Sequence, residues 1–102
     1  SFGGNNGSYL TTTEIWSGSS WATTSSMNVA REAPVGCGDV NNALSFGGYN
    51  GSRLSTTEIW SGSSWATTSS MNVARNYLAG CGNINNALSF GNMVTTEIWM
   101  KK

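Results

Sequence analysis

The side chains best equipped for recognition chemistry are five tryptophans: Trp16, Trp21, Trp60, Trp65 and Trp99. Four come as two pairs in one context, Ile-Trp-Ser-Gly-Ser-Ser-Trp, and Trp99 closes a third Glu-Ile-Trp. An indole can fill the wedge between packed sheets, or stand open and stack on a sugar ring. In an extended Glu58-Ile59-Trp60, Glu58 and Trp60 share one face and Ile59 takes the other. A carboxylate and an indole on one face are not expected to be buried together in an apolar layer. Packing between sheets is the expected role of the tryptophans; the alternative is that one per repeat stays partly open as a sugar platform, with Trp60 and Trp16 the candidates. The polar residues Asn50, Ser52 and Arg53, around an Asn-Gly turn, and Arg75 complete the candidate ligand-binding set.

The charged residues recur in register. Arg31 and Arg75 close identical blocks. Their five-donor forks suit backbone carbonyls, the recurrent Glu14, Glu58 and Glu97, or a sugar or carboxylate presented from outside. Recurrent acids invite an acid–base pair for glycoside hydrolysis, but that chemistry needs two carboxylates in unlike environments. Equivalent repeats supply like ones. With no histidine and no nucleophile motif, no catalytic residue is assigned and an enzyme is not expected. Cys37 and Cys81 each sit in Gly-Cys-Gly, which is not a zinc spacing, so no metal and no cofactor is implied. They are expected as small buried thiols on inner strands, too far apart for a disulfide. Asn6-Gly7-Ser8 and Asn50-Gly51-Ser52 are glycosylation sequons on loops.

Composition narrows the classes. The 102 residues carry five basic and five acidic side chains, for a formal net charge of zero. A neutral chain with no basic cluster does not suit nucleic acid, whose binding rests on phosphate contacts. No apolar run approaches the roughly 18–20 residues of a membrane helix, so membrane insertion is not expected. Low charge with abundant Ser, Thr, Asn and Gly suits an extracellular, virion or cell surface, although two free cysteines weigh the other way.

The elements that must position these residues are written in a repeat. Residues 12–31 recur letter for letter at 56–75. Gly36-Cys37-Gly38 recurs as Gly80-Cys81-Gly82, and Asn41 to Gly47 as Asn85 to Gly91. A third copy then begins, and its stretch from Gly91 to Glu97 is about five residues shorter than Gly47 to Glu58. The runs are rich in Thr, Ser, Gly, Trp and Ile, which suit strands and turns rather than helices. Four short strands per repeat are expected, for the second copy near 77–82, 43–47, 56–60 and 64–68. About ten are expected in all, divided three, four and three. Ser61-Gly62-Ser63 and Asn50-Gly51 mark turns, and Asn41-Asn42 and Asn85-Asn86 are expected to take left-handed geometry in hairpins.

A repeat of about 44 residues with four strands resembles a β-propeller blade. In detail the residues resemble a kelch repeat. Gly47-Gly48 follows an apolar strand, Glu58-Ile59-Trp60 stands where a Tyr-containing strand is usual, Trp65 follows, and Met71 through Arg75 is similar to the connector between blades. Trp60 in place of Tyr, a short Trp60–Trp65 turn and Gly91-Asn92 in place of a double glycine depart from the pattern. The resemblance implies an all-β propeller of kelch-like four-stranded blades: 1–31 a partial blade, 32–75 a blade, 76–102 a truncated blade. Looser similarity extends to small fucose-binding propeller lectins that assemble from short chains, and to repeats of phage tail fibres and surface proteins.

A propeller closes with about four to eight blades, so the end blades of this chain would expose apolar flanks. Self-association into a ring is the expected solution, a dimer first, with a fragment of a longer propeller the alternative. The expected function is non-enzymatic: a binding or structural module, with glycans the expected small ligands. The rival is a purely structural repeat of a fibre or surface protein.

Overall fold

The computed structural model describes residues 1–91 and 96–100. Residues 92–95 and 101–102 lie outside the described residues, and with Asn92 so does the departure at Gly91-Asn92. Among the described residues the fold is all-β, without a helix. Nine strands run β1 (Thr13–Trp16), β2 (Trp21–Thr24), β3 (Val35–Gly38), β4 (Ala43–Phe46), β5 (Thr57–Trp60), β6 (Trp65–Thr68), β7 (Ala79–Gly82), β8 (Asn86–Phe90) and β9 (Thr96–Met100). They form three antiparallel meanders: β1-β2, β3-β4-β5-β6 and β7-β8-β9. The first is one strand shorter than expected. Phe2 makes only an isolated bridge to Thr13 where the second sheet has the whole of β4.

Turn chemistry sets the register. β5 and β6 pair with Trp60 opposite Trp65, and the Ser61 N–H donates to the Ser64 carbonyl at 3.1 Å across the turn. The β3–β4 hairpin turns differently from expectation. Its left-handed residue is Gly38 (φ 107°), not Asn41 or Asn42. The Asp39 carboxylate accepts the N–H groups of Asn41 (2.8 Å) and Asn42 (2.9 Å), so the asparagines are held through their backbones. Asn83 does the same for Asn85 and Asn86, beside Gly82 (φ 124°). A side-chain acceptor closing its own turn removes the need for the following residues to go left-handed.

Strand alternation gives each sheet two faces, and neighbouring sheets meet face to face. One core joins Met27, Trp60 and Trp65 with Phe2, Ile15 and Ala43, between the first and second sheets. The other joins Leu44, Phe46 and Ala87 with Val35, Ile59, Leu78 and Trp99, between the second and third. Trp60 and Trp65 thus look back to the preceding unit, while Leu44 and Ile59 look on to the next. Strands β3 and β7 lie side by side. Gly80 permits that approach: a Cβ there would come within 2.6 Å of the Phe46 ring and 2.7 Å of Val35.

Candidate functional site

A cleft of about 410 Å³ lies at the first junction. Its walls are lined by all four paired tryptophans, Trp16, Trp21, Trp60 and Trp65, and by residues Glu14 and Asp39. The turn geometry of the repeat places each indole pair across a strand end. Trp60 and Trp65 stand with centroids 5.4 Å apart at 50°, and Trp16 and Trp21 stand 5.4 Å apart at 52°. The two pairs therefore have one shape. Their surroundings are opposite: Trp60 and Trp65 are 3% and 7% exposed, Trp16 and Trp21 51% and 55%.

The buried pair is fully engaged. The Trp65 ring N–H donates to the Thr13 hydroxyl at 3.0 Å, and its ring meets Phe2 edge-on at 5.1 Å. The Trp60 ring N–H donates to the Val40 carbonyl at 3.0 Å. Trp99 repeats that bond to Ile84 at 3.0 Å. The open pair has no such partners among the described residues.

Glu58 is buried on the same face as Trp60, against the expectation that the two could not be buried together. The reason is complete satisfaction of the carboxylate. It accepts the Asn28 N–H at 2.6 Å, the Val29 N–H at 3.0 Å and an Arg31 nitrogen at 3.1 Å. Arg31, also wholly buried, donates further to the carbonyls of Gly47 (3.0 Å) and Thr56 (2.9 Å) and to the Thr56 hydroxyl (3.0 Å). Burial draws the Arg31 pKa down and Glu58 holds it up; a guanidinium stays charged throughout. The clamp recurs at the second junction, where Glu97 accepts from Asn72 (2.5 Å), Val73 (3.1 Å) and Arg75 (2.8 Å). Burial raises the Glu97 pKa, but those donors outweigh it and the carboxyl titrates below its ordinary value. Glu14, the first-copy equivalent, is exposed and has no ion pair among the described residues.

The six predicted ligand residues do not converge. Trp16 and Trp60 both line the cleft. Asn50, Ser52 and Arg53 are exposed on the β4–β5 loop, which leaves the sheet at Phe46 and returns at Thr57. Ala43 pairs with Trp60 and Phe46 with Thr57, so that loop lies at the opposite end of the strands, roughly 10 Å away along the sheet. Arg75 is buried in the second junction. Trp60 is buried, whereas Trp16 and Trp21 are half exposed. The sequence reasoning missed Asp39 and Thr13, and named Glu14 only among the recurrent acids, not as a cleft residue.

Neither cysteine is buried as expected: Cys37 is half-buried and Cys81 exposed. They lie on neighbouring β3 and β7 as free thiols, and burial, then the proximity of Cys81, pushes the Cys37 thiol up. No cluster of metal-ligating side chains occurs among the described residues. No helix among them is long and apolar enough to cross a membrane. No family model matches the chain, and no curated protein matches it either.

Proposed function

We propose that this chain is a non-enzymatic module of a kelch-like propeller that builds its ring by self-association. One observation carries the reading. Trp16 and Trp21 hold the same mutual geometry as Trp60 and Trp65, yet stand bare where the other pair is sealed by a neighbouring sheet. A side-chain pair this apolar, preformed and uncovered, is a surface built for a neighbour. The repeated Glu–Arg clamps support the same reading, because they engage Glu58, Glu97, Arg31 and Arg75 in tying units together rather than in reaction chemistry. Light scattering on a sizing column is the test. A discrete multiple of 10.8 kDa is expected; a monomer at every concentration overturns self-association.

A second reading is favoured by the composition of the cleft. Open indoles beside Glu14 and Asp39 are the chemistry that holds a sugar, with aromatic faces for its C–H surface and carboxylates for its hydroxyls. The two readings compete for Trp16 and Trp21. A glycan array, followed by titration against Trp16→Ala, separates them. A glycan bound by the wild-type chain and lost in the variant favours a lectin; silence across the array favours the structural body. In either case the function is binding or construction, and the expected address remains an extracellular, virion or cell surface.

A further inference from the structure

We infer that a second copy of this chain docks head to tail, its β8–β9 face seated on Trp16 and Trp21. The inference rests on the self-association proposed above and names the surfaces that carry it. At the first junction three residues of the leading unit, Phe2, Thr13 and Ile15, meet Trp60 and Trp65. In the repeat, Phe90, Thr96 and Ile98 stand in the positions of Phe2, Thr13 and Ile15. All three are exposed at the trailing end, Phe90 at 38% and Ile98 at 68%. Trp16 and Trp21 stand in the positions of Trp60 and Trp65 at the leading end. One chain therefore displays both halves of a junction whose fit its own interior demonstrates. The halves differ from each other, so the contact is heterologous: like ends do not pair, and repetition of the contact leads to a ring if the rotation closes. The Trp21 ring N–H would donate to the Thr96 hydroxyl of the second copy, as Trp65 donates to Thr13.

Two single-face variants test this. Trp21→Asp disables the leading face and Ile98→Asp the trailing one. Both side chains are exposed, so circular dichroism should show the wild-type fold; Trp21→Ala and Ile98→Ala serve if it does not. Masses are read by light scattering where the wild-type chain is assembled. The expected result is a monomer for each variant alone and a discrete one-to-one heterodimer on mixing, because each retains the half the other lacks. Either variant keeping the wild-type mass, or a mixture that stays monomeric, overturns the head-to-tail junction while leaving self-association through other surfaces standing. A monomeric wild-type chain overturns both.

Discussion

Arg31 ties several segments of the fold together. From one buried guanidinium it reaches the Gly47 and Thr56 carbonyls, the Thr56 hydroxyl and Glu58. Removing one partner of a buried pair strands the other, which costs about 3–5 kcal/mol. Arg31→Ala should therefore lose that much in urea unfolding, a large share of the 5–15 kcal/mol typical of a domain; a loss below about 1 kcal/mol would mean Glu58 finds water instead. The acid limb follows from Glu97 and Asp39. The backbone N–H groups of Asn42 and Asn41 hold the Asp39 carboxyl below its usual range, and Glu97 is likewise lowered. A depressed folded pKa gives stability that is complete above the unfolded carboxylate range, about 4, and lost as pH falls through the lower folded values. Thermal midpoints should be flat from neutrality down to that range and then fall. Glu97→Gln with Asp39→Asn should flatten the fall, and an unchanged acid limb in the double variant would contradict the assignment. The pairing of arginines with the recurrent acids was legible from residue type and spacing. The burial of Glu58 beside Trp60 was not, because its cause is two backbone N–H groups of Asn28 and Val29, which sequence composition does not display.

At the scale of elements, the strands expected near 43–47, 56–60 and 64–68 followed from alternation and turn residues and shifted by only a residue or two, but the strand expected at 77–82 is β7 of the next sheet, and β3 (Val35–Gly38) takes its place beside β4. What escaped was the hairpin geometry, where Asp39 and Asn83 take over the role expected of the asparagine pairs. The first unit also has fewer strands than expected, since Phe2 supplies one bridge rather than a strand. The convergence of the ligand set failed for a reason of polarity. Sequence neighbours Ser52 and Trp60 fall at opposite ends of a strand, and only the register Phe46–Thr57 and Ala43–Trp60 reveals it. The glycine on β7 gives a test at this scale. Gly80→Val would drive side-chain carbon into the Phe46 ring, Val35 and the Leu88 carbonyl. Overpacking of this kind costs about 1–3 kcal/mol. The expected outcome is a lower urea midpoint with β3 and β7 exchanging amide hydrogens faster; unchanged exchange there would mean the two sheets do not abut at Gly80.

Across the whole molecule, three similar sheets are stacked so that each internal junction uses one face of one repeat and the other face of the next. The outer faces of the first and third sheets therefore carry the same residue types as the internal junctions. That symmetry explains why large apolar side chains are exposed at the two ends, Trp16 and Trp21 on one and Ile98 and Met100 on the other. Hydroxyl-radical footprinting of the tryptophans, read by mass spectrometry across a concentration series, tests this directly. Trp60 and Trp65 should be protected throughout, while Trp16 and Trp21 should be oxidised in dilute protein and protected in concentrated protein. Equal oxidation of Trp16 and Trp21 at both extremes, or Trp60 as reactive as Trp16, would contradict the account.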